Sequence, residues 1–209
     1  MVRVAVIDSG VGGLAVHQLV LETVPQASTL YLADHAFAPY GPRSAAELVD
    51  RLTELIQRLR QQPLDLVLLA CNTATVTSIT ALRERFPGLP FVGMEPAVKP
   101  AANTVDRFIV MGTQCTVTNE RYRRLCESEA AGKQVWHVAA PQLVEQVERG
   151  DLETTEVLER LLGPAIDEGA QGLVIGCTHF SFLVPALQRT WPGLQIFDGR
   201  FGTVKRVES

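Results

Sequence analysis

The feature that most constrains the fold of this 209-residue chain is an internal repeat that makes its two halves similar. Cys71 and Cys177 stand 106 residues apart (177 − 71 = 106), each between a strand-like run and a helical pattern. The segments Phe86–Leu89 and Trp191–Leu194, which both contain Pro-Gly, stand 105 residues apart (191 − 86 = 105). Nearly equal spacings between similar sequence segments indicate a duplicated unit. The chain is long enough to form two small domains.

Short apolar runs alternate with helical patterns in both halves, which is typical of a parallel sheet with helices on its faces. The first run ends near Asp8 and its counterpart ends near Thr113, a spacing of 105 (113 − 8 = 105). The predicted strands are Val2–Ile7, Thr29–Ala33, Leu66–Ala70, Phe91–Met94, Phe108–Met111, Gln134–Val138 and Leu173–Gly176. Helical spacing lies between them, including a predicted helix from Thr118 to about Cys126 and another after Cys177-Thr178-His179.

These patterns predict an α/β fold made of two similar half-domains with parallel sheets. We expect the halves to be related by a pseudo-twofold axis, with the active site in the cleft between them. The predicted domains are residues 1–96 and 97–209, and the last residues are a candidate for returning to the first domain. The Pro- and Ala-rich stretch Glu95–Asn103 is the expected crossover between the halves.

Composition and charge exclude several classes of protein. The formal net charge is −4, from 19 basic and 23 acidic residues, which gives no electrostatic case for binding nucleic acid or an anionic membrane. No apolar run approaches the roughly 18 residues that a membrane-spanning helix needs. The first apolar run breaks at Asp8, too early for a signal peptide. Four cysteines do not indicate a disulfide framework here, so we expect a cytoplasmic protein with reduced thiols.

Reactive side chains stand where the predicted strands end, which is the edge where open parallel sheets bind ligands. Cys71 and Cys177 each lie where a strand gives way to a helix, and the positive end of a helix dipole favours a thiolate. A single buried cysteine is usually structural, but two at matching strand ends favour a chemical role. Cys115 and Cys126 have no such match, and Cys126 lies within a predicted helix.

Other chemistries fit these residues less well. Cys177 and His179 alone do not supply the usual ligand set of a zinc site. A pyridoxal enzyme needs a Schiff-base lysine. None of the three lysines, which are Lys99, Lys133 and Lys205, lies at a predicted strand end. The sequence therefore predicts neither a metal nor an organic cofactor.

A dinucleotide site is the strongest alternative. Gly10, Gly12 and Ala15 follow the first strand in a loose Rossmann pattern, and Asp34 ends the second strand where a ribose would be bound. This pattern is weak on its own. Asp8 would place a carboxylate against the pyrophosphate, and the paired cysteines would have no role.

Two opposed thiols suit the inversion of an amino-acid α-carbon. One thiolate removes the α-proton from one face, and a thiol on the opposite face delivers another, without metal or coenzyme. Because the α-proton is very weakly acidic, positioning and electrostatic stabilisation of the carbanion have to supply much of the acceleration.

Six motifs together resemble the glutamate racemase family, within the aspartate/glutamate racemase superfamily. They match in order from residue 4 to about residue 198. The motifs are Val6–Gly13, Pro39–Gly41, Ala70–Ala74, Val92–Ala97, Gly112-Thr113 with Thr116-Val117, and Gly176–His179. The resemblance implies a cofactor-independent enzyme that interconverts L- and D-glutamate and supplies D-glutamate for bacterial peptidoglycan. It also implies that the protein can form a homodimer.

The resemblance assigns roles to motif residues of this chain. Cys71 and Cys177 correspond to the acid–base pair of the family. Asp8 and His179 correspond to residues that assist proton transfer. The positions expected to hold the substrate's carboxylates and ammonium group are Ser9, Pro39, Tyr40, Gly41, Asn72, Thr73, Thr113, Thr116 and Thr178.

One further role and two departures remain open. An assisting glutamate of the second half is best matched by Glu148, with Glu145 as the competing choice. Family members usually continue for several tens of residues beyond the last cysteine motif, whereas this chain stops at Ser209. Asp198 is followed by Gly199 where the family tends to carry serine. The alternatives are therefore an aspartate racemase or related isomerase, and a catalytically silent glutamate-binding protein.

Overall fold

A computed structural model describes residues 2–208 of the chain. Met1 and Ser209, the outer ends of the two predicted domains, lie outside the described residues. The chain forms two compact units: residues 2–95 together with 200–208, and residues 96–199. The predicted crossover contains a short helix of the second unit, Val98–Thr104.

The first unit is built on a four-stranded sheet in the order β2-β1-β3-β4, in which every neighbouring pair is parallel. Its strands are β1 (Arg3–Asp8), β2 (Ser28–Ala33), β3 (Leu66–Leu69) and β4 (Phe91–Gly93). Its helices are α1 (Leu14–Thr23), α2 (Ala45–Leu59), α3 (Asn72–Arg85) and the last helix of the chain, α10 (Arg200–Glu208).

Both faces of this sheet are covered, which is why its central strand is apolar almost throughout. Val4 and Val6 of β1 pack in a cluster with Val16 of α1 and Val204 of α10. Ile7, on the other face, packs in a second cluster with residues of α2 and α3. Alternate residues of a strand point to opposite faces, so β1 contributes to both parts of the core.

The second unit repeats this plan with a parallel sheet in the order β6-β5-β7-β8. Its strands are β5 (Arg107–Gly112), β6 (Gln134–Ala139), β7 (Gly172–Gly176) and β8 (Gln195–Asp198). Its helices are α4 (Val98–Thr104), α5 (Gln114–Thr118), α6 (Glu120–Glu129), α7 (Pro141–Glu148), α8 (Thr155–Asp167), a 3₁₀ helix (Thr178–Leu183) and α9 (Val184–Thr190). The two identical strand orders confirm the predicted α/β fold of two similar half-domains with parallel sheets.

Two local predictions were wrong. The helix predicted from Thr118 to about Cys126 runs from Glu120 to Glu129, and a separate short helix, Gln114–Thr118, precedes it, because the side chains of Asn119 and Thr113 each cap a separate start. The helix predicted after Cys177-Thr178-His179 is preceded by a six-residue 3₁₀ helix that already includes Thr178 and His179. The α-helix begins only at Val184, with Pro185 in its first turn, where a missing N–H costs nothing.

Within the described residues, no helix is both long enough and apolar enough to cross a membrane.

Close packing at the end of β4 yields a prediction about stability. A Cβ atom at Gly93 would lie 2.5 Å from Thr75 Cγ2 and 2.6 Å from Ile79 Cδ1. We expect Gly93→Ala to lower the free energy of unfolding by about 1–3 kcal/mol, because both neighbours are buried and cannot move aside cheaply. Urea denaturation measures this difference.

The matched control is Gly202→Ala, where an added Cβ meets nothing within 4 Å. Because alanine favours a helix over glycine by about 0.5–1 kcal/mol, this variant should be neutral or slightly more stable than the wild type. Equal stability of the two variants would contradict the packing argument.

Candidate active site

In the first unit, parallel pairing brings the ends of β1 and β3 to one edge of the sheet. Ala70 N donates to Ile7 O at 2.9 Å, so Asp8 and Cys71 leave the sheet as neighbours. Asp8 is fully buried, and its Oδ1 accepts a hydrogen bond from Gly10 N at 3.0 Å. A Cβ atom at Gly13 would lie 2.5 Å from Asp8 Cβ, so glycine is required for this close approach. Ser9 is buried beside Asp8.

Cys71 is held at the start of α3 by a threonine one turn later. Cys71 occupies the N-cap position of the helix and is 6% exposed. Thr75 Oγ1 donates to Cys71 O at 3.0 Å and accepts from Met94 N at 3.1 Å. This buried hydroxyl therefore ties the ends of β3 and β4 to the first turn of α3, and Cys71 is fixed at that junction.

Asn72 carries a buried acceptor that points to a ligand. Its side-chain Nδ2 donates to Met94 O at 3.3 Å. Its Oδ1 is buried without a hydrogen-bond partner among the described residues. Leaving such an oxygen unpaired costs about 1–3 kcal/mol, which a donor on a bound molecule would recover. Thr73, in the same turn, is also buried.

Tyr40 lies close to Cys71 and is oriented by a buried carboxylate. Tyr40 is 2% exposed and packs in the same apolar cluster as Cys71. Its hydroxyl donates to Asp34 Oδ2 at 2.9 Å. Burial and the Asp34 carboxylate raise the pKa of Tyr40, so the phenol keeps its proton. Pro39, after a cis peptide bond, is exposed, and Gly41 is half-buried.

Asp34 also accepts two hydrogen bonds from Arg51, at 2.9 Å from Nε and 2.6 Å from Nη2. Burial alone would raise the pKa of Asp34, but the hydrogen bonds from Arg51 and Tyr40 and the charge of Arg51 bring it below its ordinary value. Both carboxylate oxygens are therefore engaged within the protein. The predicted alternative role of Asp34 at a dinucleotide ribose has no support from this geometry.

In the second unit, a cysteine, a histidine and a glutamate form a continuous chain of contacts. Cys177 is 5% exposed, and its Sγ lies 3.5 Å from His179 Nδ1. His179 Nε2 lies 2.5 Å from Glu148 Oε1. Glu148 is the last residue of α7, and His179 lies in the 3₁₀ helix against which α7 packs. A carboxylate on one imidazole nitrogen fixes the tautomer and leaves the other nitrogen facing the thiol.

Glu145, the competing glutamate, lies elsewhere. Its side chain is 64% exposed and pairs with Arg149 at 3.6 Å, one turn later on the surface. Glu148 is therefore the one of the two glutamates that contacts His179.

Hydroxyl groups surround the same edge of the second sheet. Thr113 caps α5 by accepting a hydrogen bond from Thr116 N at 3.1 Å, and the two hydroxyl oxygens lie 3.0 Å apart. Thr178, which lies between Cys177 and His179 in the sequence, is buried. These short hydroxyl side chains and the helix-start N–H groups are suited to binding a carboxylate.

The other two cysteines differ from this pair. Burial raises the pKa of the Cys115 thiol and, as the largest effect, that of the Cys126 thiol, which disfavours the reactive thiolate. Among residues 2–208 there is no cluster of three or more histidine, cysteine or acidic side chains that could hold a metal ion.

The sequence did not reveal Thr75, which bonds directly to the Cys71 carbonyl, or Arg51, which orients Tyr40 through Asp34. Thr75 lies in the Cys71 motif region, but nothing in its spacing distinguishes it from the neighbouring threonines. Arg51 lies among buried leucines of α2. A charged residue on the core-facing part of a helix usually has a partner, and this was the one signal in the sequence that pointed to Arg51.

Comparison with known proteins gives a consistent family. The chain matches the family model for Asp/Glu/Hydantoin racemase over residues 13–205. It is 40% identical over 211 residues to a glutamate racemase of Pseudomonas aeruginosa, covering 98% of this chain and 80% of that relative.

Solved structures agree with this match. The Escherichia coli glutamate racemase in complex with L-glutamate and the activator UDP-MurNAc-ala superposes with a TM-score of 0.92 at 32% identity, over 99% of this chain and 81% of that one. The Thermus thermophilus glutamate racemase in complex with β-chloro-D-alanine superposes with a TM-score of 0.85 at 30% identity, over 99% and 79%.

The ion pair of Asp34 yields a prediction about pH. Because the folded protein lowers the pKa of Asp34, the carboxylate stabilises the fold above its ordinary pKa of about 4, and this contribution is lost as the pH falls through the folded value. We expect Asp34→Asn to reduce the free energy of unfolding by about 1–3 kcal/mol at pH 7.

Urea denaturation of the wild type and Asp34→Asn at several pH values from about 7 down to about 3 tests this. The difference between the two proteins should be largest above about pH 4 and should shrink below it. A difference that does not change with pH would show that the charge of Asp34 is not what stabilises the fold.

Proposed function

The chain belongs to the Asp/Glu/hydantoin racemase family, and from that premise we propose that it interconverts L- and D-glutamate by a two-cysteine acid–base mechanism. The relatives named glutamate racemase that it matches at 40% and 32% identity support glutamate as the substrate. The proposal includes no cofactor, because two thiols and their supporting groups can perform both proton transfers.

The proposed reaction moves one proton off the α-carbon and one proton onto it. A thiolate takes the α-proton, so the C–H bond breaks, an S–H bond forms and the electron pair stays on the substrate as a carbanion. The thiol of the second cysteine then donates its proton to the opposite face of that carbon. Cys71 and Cys177 are the proposed pair, which requires both half-sites to act on one substrate molecule. Each enantiomer is deprotonated by a different cysteine.

The contact chain from Cys177 to Glu148 is the observation that carries the proposal. With Nε2–H donating to Glu148, the Nδ1 of His179 is an acceptor 3.5 Å from the Cys177 sulfur. His179 can therefore take the thiol proton to form the thiolate and return it later. Glu148 stabilises the imidazolium that exists in between, as the third member of a nucleophile–base–carboxylate arrangement does.

In the first unit, the carboxyl group at the strand end beside Cys71 is Asp8. It is buried at the end of the neighbouring strand. Both Asp8 and Cys71 are close enough to Tyr40 to interact with it electrostatically. We propose that Asp8 assists proton transfer at Cys71. The two halves thus use different assisting groups on similar backbones.

The substrate's charged groups have complementary partners in both units. The unpaired Oδ1 of Asn72 is suited to accept a hydrogen bond from the α-ammonium group. Hydroxyl and backbone N–H groups at Ser9, Thr73, Thr113, Thr116 and Thr178 are suited to the two carboxylates. Pro39, Tyr40 and Gly41 are proposed to border the same site.

The proposal extends to the setting of the reaction. The product D-glutamate would supply bacterial peptidoglycan from the cytoplasm, and a homodimer is the proposed assembly. These statements follow from the family resemblance.

Replacing either thiol should abolish racemisation while leaving one of the two proton transfers. We expect Cys71→Ser and Cys177→Ser to lose detectable conversion of L- to D-glutamate, because a serine hydroxyl is a far weaker acid at neutral pH. Each variant should still exchange the α-proton of one enantiomer with solvent deuterium, and the two variants should differ in which enantiomer they exchange. Chiral chromatography and NMR measure conversion and exchange.

Aspartate serves as the parallel substrate in these assays. Full turnover by both serine variants would refute the two-thiol mechanism, and faster wild-type turnover of aspartate than of glutamate would refute the substrate. Glutamate binding without any α-deuterium exchange in the wild type would indicate a silent binding protein.

The glutamate on His179 should matter for catalysis, and its neighbour should not. We expect Glu148→Gln to reduce kcat by about 100-fold, the lower end of what a positioned acid–base group contributes, because an amide cannot stabilise the imidazolium. Glu145→Gln is the matched control, since it removes a carboxylate from the exposed face of the same helix. Equal activities of the two variants would remove Glu148 from the mechanism.

A further inference from the structure

Asp34 is a buried carboxylate to which the proposed mechanism gives no chemical role. It follows β2 and is only 3% exposed. Its backbone N–H donates to Asp8 O at 2.9 Å, and its own carbonyl accepts from Phe37 N and Ala38 N, both at 3.1 Å. Asp34 is therefore attached both to the end of β1, where Asp8 lies, and to the loop that leads to Tyr40.

The loop that Asp34 begins has no helix or strand between residues 34 and 44. Without a backbone ladder, the position of its side chains depends on specific anchors. Phe37 provides one anchor, because the Arg43 guanidinium lies 4.3 Å and the Arg51 guanidinium 5.8 Å from the centre of its ring. The other anchor is the hydrogen bond from the Tyr40 hydroxyl to Asp34 Oδ2.

Arg51 fixes the carboxylate that receives this hydrogen bond. Its Nε and Nη2 atoms bind the two oxygens of Asp34 side by side, a geometry that a lysine cannot reproduce. Because Arg51 belongs to α2, the pair connects the loop to a helix that is packed on the sheet. The Asp34 carboxylate is thereby held in one orientation.

Tyr40 connects the oriented carboxylate to the cluster of buried side chains that contains Cys71. The ring of Tyr40 packs in the same buried cluster as Cys71 and Ile7. A phenol has one hydroxyl hydrogen, and Tyr40 donates it in the hydrogen bond to Asp34, so this hydrogen is not available to the cysteine. If the hydrogen bond to Asp34 were lost, the Tyr40 hydroxyl would become a free donor within the cluster that contains Cys71.

We infer that Asp34 and Arg51 are positioning residues for proton transfer at Cys71, acting through Tyr40. The inference rests on the proposed function, since it concerns one of its two proton transfers. The anchor residues Asp34, Tyr40 and Arg51 all belong to the first unit, whereas Cys177 belongs to the second. Weakening the anchor should impair the Cys71 step and leave the Cys177 step unchanged.

The ratio of exchange to inversion reveals this asymmetry. In a racemase the two directions share one equilibrium constant, so kcat/KM falls equally in both directions whichever step is impaired. When the Cys71 step is slow, a carbanion formed by Cys177 returns to the starting enantiomer more often, carrying solvent deuterium if the thiol has exchanged. Exchange without inversion should therefore increase for the enantiomer that Cys177 deprotonates and for no other.

The test compares Arg51→Lys with Arg58→Lys on the same helix, whose arginine pairs with Glu54 on the exposed surface. In D₂O, each enantiomer of glutamate is followed by NMR for α-deuterium and by chiral chromatography for inversion. We expect Arg51→Lys to lower kcat/KM by roughly 10- to 100-fold, the scale of a small misplacement of a reacting group. Its exchange-to-inversion ratio should increase several-fold for one enantiomer, the one that Cys71→Ser still exchanges. Arg58→Lys should match the wild type.

Tyr40→Phe provides a second variant that keeps the ring and removes only the hydroxyl. Thermal unfolding and circular dichroism establish that each variant is folded before its kinetics are compared. The same one-sided increase in Tyr40→Phe and Arg51→Lys would support the inference. Equal ratios for both enantiomers, or a lower kcat/KM with unchanged ratios, would overturn it. Absence of exchange in the wild type would instead refute the proposed function, so the two failures are distinguishable.

Discussion

Hydrogen bonds between parallel neighbouring strands determine where the chemically active side chains stand. In the first unit, β1 and β3 pair with Ile7 opposite Leu69. Asp8, the residue after Ile7, and Cys71, two residues after Leu69, therefore emerge at one edge. In the second unit, Gly112 of β5 is opposite Gly176 of β7, so Thr113 and Cys177 emerge in the same way. Parallel strands end at a common edge, and this is why an α/β sheet collects polar residues that are distant in sequence.

The buried polar groups at these edges are held mainly by residues that have no proposed chemical role. Thr75 ties three backbone segments around Cys71, and Arg51 orients Asp34, which in turn orients Tyr40. A buried polar network is stable only when its members are satisfied, since the low dielectric that strengthens each hydrogen bond also raises the cost of a missing one. The Oδ1 of Asn72 is one of three buried side-chain oxygens without a partner among the described residues, and it is the one that lies beside Cys71, where a ligand could complete it.

Much of the fold follows from the sequence, because buried strands in parallel sheets are short, continuous and apolar. The strand from Leu173 was predicted to end at Gly176, as observed, and the repeat made the second sheet a copy of the first. Local capping decided what the hydrophobic pattern could not. Asn119 begins a new helix after α5, since its side chain accepts a hydrogen bond from Arg121 N at 2.8 Å. The spacing of apolar residues does not show such a break. The capping residue, here Asn119, is the part of the sequence that marks it.

The sequence by itself determined the duplicated α/β plan, the two matching cysteines and the family, because each depends on residue types at fixed spacing along the chain. Only the tertiary structure decided which glutamate meets His179 and what Asp34 binds. Glu148 and His179 are 31 residues apart in sequence, and Asp34 and Arg51 are 17 apart. Glu145 and Glu148 are one turn apart on α7, so the packing of that helix against the 3₁₀ helix selects the carboxylate that reaches the imidazole. Such contacts depend on how whole elements pack, which no local pattern specifies.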